Sequence, residues 1–401
     1  MKKIITFFFI FIISTNSLSL AYYPNTEYVW SENIVPTNSE TTTEDFLELS
    51  CESAILVEQT TGKILYNKNS NTSLHPASVT KIMTILLIME EIESGRISYD
   101  TPISCSENAA SLGGSQIWLE TGETLTVDEM LKAICIVSAN DCSVAMAEHI
   151  AGSEAAFVDK MNHKAKSLGM KNTTFKNCHG IDEDGHMTTS YDISLMSCEL
   201  LNKYPEIINY TTIWMDTLRN GESELVNTNK LIKVYDGATG LKTGSTSLAL
   251  YNLSASATRN NLSLIAVVMK APSSTERISN ARKLLDYGFA NYEFLSTSTQ
   301  GEKIKNVAIS KGIKSNIDLI CENSTGCIIK KGTASEITNE IIINQNISAP
   351  IKKNQILGKI NFYLNEELIS STNLISNEEI KKKSLFNMFK YISNSWSNLL
   401  R

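Results

Sequence analysis

A serine hydroxyl becomes a working nucleophile only beside a group that takes its proton, and this chain offers such a pair at Ser78 and Lys81. Pro76 favours extended backbone before it and a helix start after it, so the spacing predicts Ser78 in a first helical turn with Lys81 on the same face. The partial positive charge of a helix N-terminus disfavours a nearby ammonium, which suits a lysine acting as base. Alone, Ser-x-x-Lys describes any capped turn with a surface lysine. Two further patterns bear on it. In Ser138-Ala139-Asn140 a second hydroxyl can relay a proton, and the amide can hold a substrate carbonyl and a lysine at once. In Lys242-Thr243-Gly244 the lysine and threonine can bind an anion, and the glycine lets a substrate approach the backbone. The N–H of Ser245, with that of Ser78, can form an oxyanion hole. Each of these two patterns also reads as an ordinary turn.

The elements that must position these groups follow from periodicity. Residues 54–59 and 63–66 are strand-like runs around Thr60-Thr61-Gly62, a hairpin signal. Residues 82–89 are apolar and long enough for a buried helix that ends near Gly95. Thr126 and Glu129 form a capping box for a helix whose pattern breaks at Ser138-Ala139-Asn140-Asp141. Further helices are expected up to Gly152, over 154–168 and over 191–201. From about 240 the period changes to strands, 249–257 and 262–269 joined at Asn260-Asn261, before a helix carrying Ala281, Leu284, Leu285 and Phe289. Strands at both ends with helices between predict an α/β (α+β) domain, one antiparallel sheet with helices on its faces. Ile-rich runs between polar turns over 297–375 predict a small separate all-β domain.

The three motifs stand in order, about 60 residues from the first to the second and about 100 from the second to the third. That set resembles penicillin-binding proteins and serine β-lactamases. The details resemble the low-molecular-weight D-alanyl-D-alanine carboxypeptidases, serine peptidase family S11. Pro76 to Thr84 is similar to that family's nucleophile segment, His179-Gly180-Ile181-Asp182 to its His-Gly-Leu-Asp loop, and Asp236-Gly237 with 243–246 to its third motif. The likeness covers about 53–295. It implies a β-lactamase/transpeptidase-like fold and a D-Ala-D-Ala stem peptide of peptidoglycan as substrate, with β-lactam antibiotics as acylating ligands. It further implies Ser78 as nucleophile, Lys81 as base, Ser138 as proton relay and Asn140 as the group positioning Lys81 and the substrate amide. Lys242, Thr243, Gly244 and Ser245 would bind the substrate, with Arg277 assisting at its carboxylate; neither cofactor nor metal is implied. His179 reads as a loop-fixing residue, with a general base as the alternative. A serine β-lactamase and a penicillin-binding scaffold without turnover are the competing readings; no Glu-x-x-x-Asn counterpart stands between Asn140 and Lys242.

The rest of the chain concerns location. Met1-Lys2-Lys3, the apolar run 4–13 and Ser19-Leu20-Ala21 predict a signal peptide over 1–21, an uncleaved anchor being the alternative. A polar linker follows over 22–50, then a peptidase domain over 51–296. Leu385, Met388, Phe389, Ile392, Trp396, Leu399 and Leu400 fall on one helical stripe behind Lys381-Lys382-Lys383. This predicts an amphipathic membrane-anchor helix over 378–401 on the outer face of a bacterial cytoplasmic membrane, or a helix packed on its own domain. A net charge of −7 and the lack of a large basic tract in the body exclude nucleic acid as a main partner. The eight cysteines form no C-x-x-C pair; Cys321 and Cys327 flank a short polar loop and could bridge it.

Overall fold

The computed structural model describes residues 46–384. The signal-peptide stretch, most of the polar linker and the amphipathic stripe lie outside the described residues.

A five-stranded antiparallel sheet organises the first domain, in the order Ile64–Lys68, Ser53–Glu58, Leu262–Ala271, Leu250–Arg259, Ala238–Thr246. Both faces are covered, so the central strands Ser53–Glu58 and Leu262–Ala271 read as near-continuous apolar runs. Ile55, Val57, Ile265, Val267 and Met269 point into one core, and Ala54, Leu56, Leu264, Ala266 and Val268 into the other. Helix Ser274–Asn291 fills the second core with Ala281, Leu284 and Leu285. The first core surrounds helix Lys81–Glu93, which is apolar all round and packs against helices Val127–Ile136, Asn140–Ala151, Glu154–Ser167 and Ser190–Lys203. The expected capping box forms, Thr126 accepting from the Glu129 N–H while Glu129 accepts from the Thr126 N–H. The expected architecture, an antiparallel sheet flanked by helices with an all-β domain after it, is the one observed.

The second domain holds a five-stranded sheet, Lys303–Ala308, Asn316–Cys321, Glu367–Ser376, Ile356–Leu364, Thr338–Ile343, and a separate antiparallel pair of Tyr292–Ser298 with Thr325–Lys330. Its core includes Ile317, Leu319, Ile351, Leu374 and Ile380. Cys321 and Cys327 are both buried and free.

Three expected boundaries need correction. The fold starts before residue 51: the Phe46 ring meets Tyr66 and Tyr287 edge-on, Leu49 is buried, and Lys283 Nζ donates to the Leu47 and Glu48 carbonyls. Phe46 and Leu49 are the apolar side chains that the polar texture of the segment masked. The β-rich domain starts at Tyr292 rather than 297, because the residues after helix Ser274–Asn291 pair with Thr325–Lys330. Its end also lies beyond 375. Ile380 is fully buried and bridges Ile351, and Lys382 bridges Gly312, so 378–384 form no helix and are tied to the β-rich domain where the anchor helix was expected to begin.

Candidate active site

Ser78 sits in a 3₁₀ turn, Ala77–Thr80, that runs directly into helix Lys81–Glu93. Ala77 has φ 49, a left-handed conformation that swings the turn out of helical register just before the nucleophile. The 3₁₀ turn, with its tighter winding, replaces the α-helical first turn expected from sequence. Lys81 still falls on the Ser78 face, its Nζ 3.2 Å from Ser78 Oγ. Helix packing buries the whole lysine, and that burial holds its pKa well below the usual value, with Lys242 adding to the effect. Nζ also donates to Asn140 Oδ1 at 2.6 Å and to the His179 carbonyl at 2.6 Å.

Ser138 is where the two helices break, at φ 66, and its buried Oγ has no hydrogen-bond partner among the described residues. Asn140 begins helix Asn140–Ala151. Its Nδ2 donates to the Gly113 carbonyl at 2.7 Å, which leaves Oδ1 facing Lys81. Lys242 and Thr243 lie on the edge strand Ala238–Thr246. Burial lowers Lys242 to about 7, where ammonium and amine are balanced near neutral pH; its Nζ donates to the Thr243 carbonyl at 3.0 Å. At Gly244 a Cβ would stand 2.9 Å from the backbone nitrogens of both Ser78 and Val79, so only glycine lets this strand reach the nucleophile turn. Ser245 is exposed just beyond it. Hydrogen bonds thus join Ser78, Lys81 and Asn140, Lys242 lies near enough to Lys81 to lower its pKa, and Gly244 abuts the Ser78 backbone, with Thr243 and Ser245 flanking it on the strand and Ser138 two residues before Asn140. Arg277 stands apart, on helix Ser274–Asn291 behind the strand, with its guanidinium on the Gly244 and Asn252 carbonyls.

The His-Gly-Ile-Asp loop closes the nucleophile turn from the other side. Gly180 has φ +94 and presses on Ala77. The carboxylate of Asp182 accepts from Thr246 Oγ1 at 2.7 Å, tying this loop to the end of the edge strand. His179 Nδ1 accepts from the Ile181 N–H at 3.2 Å, and its Nε2 lies 3.4 Å from Glu154. Burial and the neighbouring Lys81 push its pKa down to about 3, so the ring is neutral and fixes the loop, while its carbonyl holds Lys81. His186 accepts at Nδ1 from the Lys176 N–H, so its Nε2 donates to Thr80 Oγ1 at 2.8 Å and pins the 3₁₀ turn.

Two contributors were not singled out from sequence. Asn252 lies opposite Gly244 and donates to the His75 and Pro76 carbonyls at 2.8 and 3.0 Å, anchoring the nucleophile turn to the sheet. Thr228 shares a 2.7 Å hydrogen bond with Thr243, and its N–H donates to the Ile136 carbonyl, coupling the second and third motifs. Asn227-Thr228-Asn229 carries only an Asx-turn signal, and Asn252 carries none.

Chain comparisons agree with this geometry. The family model described as D-alanyl-D-alanine carboxypeptidase (peptidase S11) matches residues 38–273. The model for the C-terminal domain of penicillin-binding protein 5 matches 292–382. The chain is 45% identical over 350 residues to the D-alanyl-D-alanine carboxypeptidase DacF of Bacillus subtilis, covering 86% of this chain and 90% of that one. Penicillin-binding protein 5 from Haemophilus influenzae superposes with a TM-score of 0.71 at 30% identity, over 84% of this chain and 98% of the other. Penicillin-binding protein D2 from Listeria monocytogenes in its ampicillin-bound form gives a TM-score of 0.56 at 31% identity, over 61% and 99%.

Proposed function

This chain belongs to the D-alanyl-D-alanine carboxypeptidase family, peptidase S11, and from that premise we propose that it removes the terminal D-alanine from peptidoglycan stem pentapeptides through an acyl-enzyme on Ser78. The observation that carries this assignment is the placement of Lys81 Nζ between Asn140 Oδ1, the His179 carbonyl and Ser78 Oγ. A neutral amine has two N–H donors and one lone pair. With both donors on the two carbonyl oxygens, the lone pair faces the Ser78 hydroxyl and takes its proton.

Ser78 Oγ then attacks the carbonyl carbon of the penultimate D-alanine, and the oxyanion that forms is held by the N–H groups of Ser78 and Ser245. Lys242 and Thr243 hold the terminal carboxylate, whose charge draws Lys242 to its ammonium form. Ser138, whose hydroxyl has no partner among the described residues, passes the proton that Lys81 took from Ser78 to the departing amine as the C–N bond breaks. Water next attacks the ester, a proton passes from it to Ser78 Oγ as the C–O bond to Ser78 breaks, and the shortened peptide leaves. A β-lactam acylates the same serine, a reading supported by the ampicillin-bound relative.

The purified chain is expected to release D-alanine from a peptide ending in D-Ala-D-Ala and to hold a penicilloyl adduct over many minutes. Rapid penicillin turnover would favour the β-lactamase reading, and stable acylation with no D-alanine release the scaffold reading.

The acid limb of the pH–rate profile should belong to Lys81. Its lowered pKa leaves the free amine available below the usual lysine range, and activity is lost as pH falls through that depressed value. His179→Asn is expected to keep the limb; a limb that vanished in this variant would assign it to the imidazole instead.

The signal-type stretch 1–21 and the one-sided apolar stripe over 385–400 support an exported enzyme held at the outer face of the membrane. Among the described residues no helix is long and apolar enough to cross a membrane. Truncation after residue 384 is expected to release the chain from membranes, and unchanged partitioning would contradict the anchor.

A further inference from the structure

Arg277 is buried, and its hydrogen bonds go to two backbone carbonyls and to the hydroxyl of Ser274 on its own helix. Nη1 donates to the Gly244 carbonyl at 3.3 Å and to the Asn252 carbonyl at 3.2 Å, and Nη2 to Ser274 Oγ at 3.4 Å. Gly244 and Asn252 are register partners on adjacent strands, so one guanidinium bridges the strand pair at the height of the nucleophile. Its carbon lies 5.7 Å from the centroid of the Tyr251 ring, which fixes the plane from one side. Burial lowers its pKa to about 10, which leaves it a cation at neutral pH.

The peptide unit that begins with the Gly244 carbonyl ends with the Ser245 N–H. The cis bonds of the described chain are Gly240-Leu241 and Ala349-Pro350, so this unit is trans. In a trans unit the C=O and N–H point in opposite directions. With the carbonyl directed at Arg277 and the partner strand, the Ser245 N–H is directed to the free edge of the sheet. Gly244 also abuts the Ser78 backbone nitrogen, so this N–H stands in the same corner as that of Ser78.

We propose that Arg277 is a positioning residue: by holding the Gly244 carbonyl it aims and polarises the Ser245 N–H as an oxyanion donor, and it does not itself meet the substrate carboxylate. A cation on a carbonyl oxygen withdraws electron density from the amide and makes its N–H a stronger donor. The inference rests on the Ser78 acyl-enzyme reading above.

The test compares two acyl donors that share one acyl group: a peptide ending in D-Ala-D-Ala, and a D-alanyl thioester whose thiol leaving group carries no carboxylate. Arg277→Ala is expected to lower kcat on both by about 10–100-fold, somewhat less than outright loss of an oxyanion donor, with KM nearly unchanged. Arg277→Gln, which can still donate to the Gly244 carbonyl, should recover part of that loss. Arg277→Lys keeps charge and bulk but not the two-pronged geometry, and should fold as the wild type and fall between them. A loss confined to the carboxylate-bearing donor, or seen in KM alone, would overturn the inference and place the guanidinium on the substrate. Wild-type kcat in Arg277→Gln and Arg277→Lys on both donors, with Arg277→Ala folded and equally active, would also overturn it while leaving the Ser78 reading standing. A wild type inactive on both donors would overturn the two together.

Discussion

Replacing Lys81 by methionine is expected to slow acylation of Ser78 by about 10³–10⁴-fold, the upper range for loss of a positioned general base. Methionine matches the lysine stem out to Cε, with sulfur in place of Cδ, and lacks the amine. Nζ is the basic group hydrogen-bonded to Ser78 Oγ, at 3.2 Å, and the imidazole of His179 is occupied by the Ile181 N–H and faces Glu154. Stability should change little, because two opposing effects meet at this position. The Asn140 and His179 oxygens lose a donor, at about 1–3 kcal/mol for each group left unpaired. Against that, an apolar thioether is placed in a fully buried site that disfavours the lysine's charge strongly enough to lower its pKa. Stopped-flow acylation by penicillin, with a thermal melt of each protein, checks both halves. An acylation rate equal to the wild type would remove Lys81 from the mechanism.

Gly180→Ala should be nearly as damaging by a different route. A Cβ there would lie 1.9 Å from the Ala77 carbonyl oxygen and 2.8 Å from the Ser78 nitrogen. All the atoms it meets are backbone, so no side chain can swing aside. The residue also has φ +94, where L side chains are strained. Clash and strain together predict a destabilisation of about 2–5 kcal/mol. The loop that must retreat is the one whose His179 carbonyl holds Lys81 and whose Asp182 holds Thr246, so both sides of the cleft move with it. Acylation should fall by at least about 100-fold even well below the melting temperature, the scale on which a 1 Å misplacement acts. Urea unfolding and acylation kinetics report the two effects separately. A variant with wild-type stability and rate would mean that the loop does not brace the nucleophile turn.

Much of the site was legible in the sequence because its motifs sit where regular elements start or break. The apolar run after Lys81 announced a buried helix, and a lysine at the head of such a helix is buried with it. The break at Ser138 showed as polar residues inside an apolar pattern. What stayed hidden were groups whose role depends on a neighbour far along the chain. Asn252 is a fully buried polar residue on a strand, and only the register opposite Gly244 gives it a purpose. Arg277 shows the same limit. Its charge suggested a carboxylate, whereas its helix lies behind the sheet and its nitrogens meet carbonyls. The domain ends were misread for a compositional reason: Phe46, Leu47 and Leu49 form a short apolar cluster at the end of a polar stretch, Ile380 stands alone within one, and each is placed by tertiary packing.

The central claim is that Ser78 is the residue acylated. Mass spectrometry of the full chain after brief exposure to penicillin, followed by peptide mapping, tests it most directly. The wild type is expected to gain one penicilloyl group per chain, on the peptide containing Ser78, and folded Ser78→Ala to gain none. Stoichiometric labelling of Ser78→Ala, or a wild-type adduct on a peptide lacking Ser78, would contradict the account.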